Sequence, residues 1–287
     1  MAKTKTQTPP PKQKPGTQVA KTGGAGLPAT AVADAAAKYA GAGISDRMED
    51  NIVPLVYLLQ ANSKPALKGH EKYVKGAVGG SIWLRNDPPE DCLIDGEEGM
   101  VFQPCHLSVC WIEWQPERAG FAARHDARPE DAVLKDEEND SGSIVKVWRR
   151  PNGNSVNESR EYAGFVHREG HEPAPYTIPL SGSGHTVGKQ WMTSMRAEKL
   201  PNGERAPLFF NLYRLTTKLR TKGENSWYQY EITKEGPVQT IEDIERGAAL
   251  FEAFEAGTKK SASAEDLDDA DTGAGTGTGG EIDDSED

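Results

Sequence analysis

The chain has 287 residues, 36% of them hydrophobic and 27% charged, with a formal net charge of -11 and three cysteines. That length can bury a core, while so few cysteines, odd in number, exclude a disulfide framework. The basic start, Met1–Gly16, is followed by no apolar core of secretory type, and no later run approaches a membrane span, so a cytoplasmic protein with reduced thiols is expected.

The charge is unevenly placed. Residues 264–287 hold ten carboxylates and no Lys or Arg, whereas residues 1–30 hold five lysines and no acid. Removing both ends leaves residues 31–263 at -6, an ordinary surface between oppositely charged arms. Three segments follow: a disordered basic, Ala-rich arm over 1–43, a β domain over 44–257, and a disordered acidic tail over 258–287. Within the first, Pro28–Ala40 has the composition of a short helix.

The β domain opens with the apolar run Asn51–Gln60, too short for a long helix, and Pro54 places it at a strand start or an edge. Glycines up to Gly80 mark a turn or bulge before a strand over Ser81–Arg85. Gly99–Pro104 and His106–Trp114 read as two core strands, the second with Leu107, Val109 and Trp111 on one face and Ser108, Cys110 and Ile112 on the other. From Gln115 to Ser143 the chain turns polar, a long surface excursion. Ile144–Trp148 and Glu161–His167 flank the turn Pro151–Asn154 as a hairpin, and Tyr176–Leu180 adds a short strand.

A helix begins at Thr186, with Val187, Trp191 and Met195 on one face. A second hairpin pairs Pro207–Lys222 with Ser226–Ile232 around Gly223–Asn225. The last helix is capped by Thr240 with Asp243, buries Ile241, Ile244, Ala248, Phe251 and Phe254, and stops at Gly257. No internal repeat is present. The fold class is mainly β with a minor helical part.

Lys189–Lys222 is the strongest electrostatic feature, carrying eight cations against Glu198 and Glu204. Alternation puts Arg214, Lys218, Arg220 and Lys222 on one strand face and Tyr213, Leu215 and Leu219 on the other. Trp227 and Tyr228 lie across the turn. Cations that displace counterions from phosphates, beside rings on which unpaired bases stack, make a single-stranded nucleic-acid groove. Lys189, Trp191 and Arg196 are secondary candidates. The bland alternative is an edge strand that carries lysines against aggregation, with its aromatics in the core. The tail acids Asp266, Asp268, Asp269, Asp271, Asp283, Asp284, Glu286 and Asp287 would compete with nucleic acid for such a groove or meet basic partner proteins.

Other motifs fall short. Gly182–Lys189 fails as a phosphate loop, because the first required glycine is Ser183 and the residue after Lys189 is Gln190. Cys92, Cys105, His106 and Cys110 are the one set with possible metal ligands, but their spacing is looser than a zinc site's. Strand alternation sets Cys105 and Cys110 on opposite faces, so buried thiols and no metal are expected. No HExxH or GxSxG sequence is present, and nothing nominates an enzyme or a cofactor.

The order of short motifs Asp50–Ser63, Trp111–Trp114 with Gly120, Phe121 and His125, Lys189–Trp191, Tyr213–Thr217, Asn225–Tyr228 and Glu235–Pro237 resembles a family of bacteriophage single-stranded DNA-binding proteins over residues 44–257. The resemblance implies an OB-fold-like β-barrel that coats single-stranded DNA in phage replication or recombination, without catalysis or cofactor, alone or as a homo-oligomer. Family-type tails often end in an aromatic residue that docks on a partner. This chain ends Asp284-Ser-Glu-Asp287, so charge would have to do that work. Competing readings are an acidic inhibitor that imitates DNA, and a virion or assembly component.

Overall fold

A computed structural model describes residues 52–85, 87–88, 91–116, 120–138 and 144–262. The basic arm, the short helix expected over Pro28–Ala40 and the acidic tail beyond residue 262 lie outside the described residues.

The apolar run after Asn51 splits at Pro54 into β1 (Ile52–Val53) and β2 (Val56–Leu58), since proline has no N–H to give a ladder. The Pro54 carbonyl instead accepts from the Thr177 N–H at 2.8 Å. β3 (Ile82–Leu84) and β4 (Leu93–Ile94) join β2 in a three-stranded antiparallel sheet. Alternation along β2 divides its neighbourhood: Val56 enters the main core, while Leu55, Tyr57 and Leu59 enter a second cluster with Ala77, Cys110 and Ile112.

β5 (Met100–Trp114) is one strand of 15 residues where two were expected. It runs through Pro104 because the register slips between Pro104 and His106, and such a bulge needs no N–H from the proline. β6 (Phe121–His125) folds back along it, so the polar excursion is not bare loop. β7 (Val133–Glu138) and β8 (Ile144–Arg149) follow as a hairpin, then β9 (Ser155–His167) and β10 (Ala174–Ser181). β11 (Asn211–Lys222) and β12 (Asn225–Pro237) form the second hairpin, turned where glycine, asparagine and charge cluster.

These strands make one eight-stranded sheet in the order β12-β11-β5-β9-β8-β7, with β10 on β9 and β6 on β5. Its inner face carries Met100, Phe102, Tyr162, Ile178 and Leu215, facing Val56, Ile82 and Leu84 of the small sheet. α1 (Gly184–Ala197) closes this core with Trp191 and Met195. It starts two residues before Thr186, and Ser183 occupies the N-cap position.

The mainly β architecture matches the sequence, but among the described residues the sheets do not close into a barrel. The small sheet meets β10 through a single parallel bridge, Leu55 with Thr177, and meets the β11–β12 hairpin through isolated bonds. The Thr217 N–H donates to the Gly96 carbonyl at 2.8 Å, and the Gln60 amide takes both backbone groups of Tyr228. Strands as short as β1 and β2, interrupted by Pro54, offer too few backbone groups for a continuous ladder.

α2 (Ile241–Glu255) covers the outer face, with the Thr240 hydroxyl accepting from the Asp243 N–H as the capping pattern predicts. Its buried face is the expected one only in part: Phe254 packs on Cys105, Phe165 and Leu250, and Ile244 and Ala248 are half-buried. Gly247 and Leu250 are buried, while Ile241 is 78% exposed and Phe251 38% exposed. A Cβ on Gly247 would stand 2.6 Å from that of Phe209, so the closest approach falls at Gly247 and turns the stripe. The chain then forms β13 (Lys260–Ser261), parallel to β1, which carries defined structure past the expected boundary at 257.

Among the described residues the β7–β8 arm pairs with the rest of the sheet at one end, where Trp148 and Arg149 meet β9. A buried carboxylate fixes that end. Glu113, whose side chain is 3% exposed, accepts from His125 at 2.7 Å, Arg150 at 2.8 Å, Asn154 at 2.5 Å and Asn152 at 3.4 Å. Burial by itself would raise its pKa, but these donors outweigh that and bring it down to about 2.

Candidate nucleic-acid interface

The β11–β12 register decides which predicted residues share a surface. Arg214 lies opposite Thr233, Lys218 opposite Gln229, Arg220 opposite Trp227 and Lys222 opposite Asn225. Directly paired residues point to the same side. Arg214, Lys218, Arg220, Lys222 and Trp227 therefore form one outer face, as the period-two pattern implied.

Two glutamates on the same face offset part of its charge. Arg214 pairs with Glu235, and Lys218 and Arg220 both reach Glu231 at 3.1 Å. Lys222 has no ionic partner among the described residues. The Trp227 ring is half-buried, and its indole N–H is buried with no acceptor among the described residues.

Tyr228 faces the other way, paired with Leu219. Its ring packs on the turn of the small sheet, where a Cβ on Gly79 or Gly80 would come within 2.8 Å and 2.7 Å of ring carbons. Consecutive strand residues cannot present their rings to one ligand, and Tyr228 is a packing residue here, not a stacking platform.

Trp191 is likewise corrected. It is buried, with ring centroids 4.5 Å from Tyr162, 5.4 Å from Tyr213 and 6.2 Å from Phe102. Lys189 and Arg196, seven residues apart on an exposed flank of α1, have no ion pair among the described residues. α1 packs on the Tyr213 side of β11, where Trp191 meets Tyr213, and touches the basic face at its N-cap, where Gln229, opposite Lys218, donates to the Ser183 carbonyl at 2.6 Å. The nine candidates thus divide into an outer set of five, a helix flank of two and an interior pair.

The cysteines are separated along β5 and not by alternation, because the bulge between Pro104 and His106 turns Cys105 toward Phe165, on the same side of β9 as the Glu161 that Cys110 meets. Cys105 sits with Phe165 and Leu250 beneath α2, and Cys110 in the second cluster, where its thiol donates to Glu161 at 3.1 Å. Burial raises both thiol pKa values; that of Cys110, helped by the Glu161 charge, is pushed up to about 12. Glu161 is held by Arg124 at 2.9 Å. Among the described residues no three His, Cys, Asp or Glu side chains converge on a metal position.

One constellation was not visible in the sequence. Trp111 and Trp148 meet edge to face, 6.3 Å between centroids, and the Arg128 guanidinium lies 3.9 Å over Trp148 and 5.9 Å from Trp111. Only the pairing of β5 with β9 and of β9 with β8 brings the two rings together. No local motif announces it.

A family model described as Pam3 phage gp34-like protein matches residues 21–260. The chain belongs to that phage family. No curated protein and no solved structure matches the chain. Among the described residues of this family member, no helix is long and apolar enough to cross a membrane.

Proposed function

We propose that this phage protein is a non-catalytic binder of single-stranded DNA in phage replication or recombination, and that the outer face of the β11–β12 hairpin is its contact surface. The observation that carries the reading is the placement of Trp227 directly opposite Arg220, with Lys218 and Lys222 beside it on one face. Phosphates would take up Arg220, Lys218 and Lys222 while a base stacks on Trp227. The exposed pairs to Glu231 do not oppose this strongly, because such pairs contribute roughly 0–1 kcal/mol and a phosphate can replace the carboxylate.

In this reading the acidic tail, ten carboxylates over 264–287, competes for the same face and offers charge to replication or recombination proteins. The test is titration of a fluorescent single-stranded oligonucleotide across a salt series. Single-strand preference and a negative salt slope are expected for the native chain. Replacing Lys218, Arg220 and Lys222 with alanine should flatten that slope by about 2, since each phosphate contact on a single strand contributes roughly 0.7. No measurable binding at low salt, or a slope unmoved by the triple substitution, refutes the assignment.

A further inference from the structure

Trp111 belongs to a corner of the molecule that the basic hairpin does not include. Along β5, Leu107, Val109 and Trp111 lie opposite Tyr162, Arg160 and Glu158 of β9, so the six side chains share one face of the sheet. α1 covers that face at its Tyr162 end, where the Tyr162 hydroxyl donates to the Gly188 carbonyl at 2.6 Å and Trp191 packs on the ring. Further along β5 the cover thins: Val109 is 41% exposed and Trp111 is half-buried. The edge of the helix runs beside this part, since His185 meets the Glu158 carboxylate at 2.8 Å. A floor of strands thus meets a helical wall.

The charges of this corner are unequally satisfied. Its carboxylates on β5 and β9, Glu113 and Glu158, are both taken, the first by His125 and Arg150 and the second by Arg160 and His185. Two cations are not. Lys189 stands one helical turn beyond His185 on the same flank of α1, and the Arg128 guanidinium lies 5.9 Å from the Trp111 ring; neither has an ionic partner among the described residues. Surplus positive charge therefore stands on both the wall and the floor, with the tryptophan between. The edge-to-face contact with Trp148 occupies at most one face of the Trp111 ring. Phosphates together with an unpaired base use both features. An acidic peptide would use the cations alone, and a duplex keeps its bases stacked away from the ring.

We propose that this corner is a second single-stranded nucleic-acid site, in which Lys189 and Arg128 hold phosphates and a base stacks on Trp111. It shares no residue with the basic hairpin face, so either site can exist without the other.

The experiment is fluorescence anisotropy of the full chain with a labelled single-stranded oligonucleotide of about 10 nucleotides, within the span of one binding module, and with the matching duplex as competitor. A chain in which Lys218, Arg220 and Lys222 are alanine should keep measurable binding at low salt. Adding Lys189→Glu and Arg128→Glu should weaken that binding by about tenfold or more, whereas adding Lys189→Arg and Arg128→Lys should hold it within about twofold. Lys189 and Arg128 are exposed, so the variants should keep one melting temperature. The proposal is overturned by binding that survives both reversals, by no residual binding once the hairpin cations are gone, or by a duplex that competes as well as the single strand. Native binding lost on the two reversals alone, with the hairpin substitutions silent, supports this site and removes the hairpin assignment.

Discussion

Replacing Glu113 with glutamine isolates the buried network that joins the arm to the sheet. The carboxylate takes four side-chain donors, and glutamine keeps its shape while turning one acceptor oxygen into a donor facing Arg150 or Asn154. The ordinary value for this group is 4.5, and in the folded chain it falls to about 2, so ionised Glu113 contributes about 3 kcal/mol to stability at neutral pH. Because the folded value is the lower one, this contribution is complete above the ordinary value and is lost as pH falls toward 2. By pH 3 about half of it is gone. Urea unfolding followed by tryptophan fluorescence at pH 7 and pH 3 reads the effect. Glu113→Gln should lose about 3 kcal/mol at pH 7, and its gap from the native chain should narrow to below about 2 kcal/mol at pH 3. A gap under about 1 kcal/mol at pH 7, or one that does not change with pH, would refute the linkage argument.

Two further substitutions separate packing from binding. Trp191→Ala should destabilise the fold by about 3–5 kcal/mol, as other buried aromatic truncations do, with guanidinium unfolding as the measurement. A loss under about 1 kcal/mol would place the ring outside the core. At the hairpin, Trp227→Ala should weaken oligonucleotide binding by about 1–3 kcal/mol, the value of one stacked base, while Tyr228→Ala should lower the melting temperature through its lost packing on Gly79 and Gly80. If the two residues exchange roles in these assays, the register-based assignment of their faces fails.

Period-two alternation was enough to predict the basic outer face of β11, since side chains on a strand must alternate whatever surrounds them. The Thr240 cap and the turn at Gly223 were legible too, whereas the bulge after Pro104 put Cys105 and Cys110 on one side of the sheet, against the alternation expected of an unbroken strand. Pro54 was expected at a strand start or an edge of one strand and instead divides the run into β1 and β2, because its missing N–H interrupts the ladder. The face of α2 was read only in part, with Ile241 and Phe251 exposed, because Gly247 permits an approach to Phe209 that periodicity cannot foresee.

Which aromatics are free was not a property of the local sequence. Trp191 lies between Lys189 and Arg196, and Trp227 and Tyr228 lie across the turn from the basic strand, yet one fills the core, one faces outward and one packs on glycines. That sorting depends on which strands and helix lie across from them. The Trp111–Trp148–Arg128 cluster depends on pairings between segments far apart in the chain. Sequence alone determined the β class, the charge of each segment and the alternation within each strand, because these follow from residue type and backbone geometry. Tertiary structure decided barrel closure, the burial of each ring and the exposed arm, because those rest on long-range contacts that no short window contains.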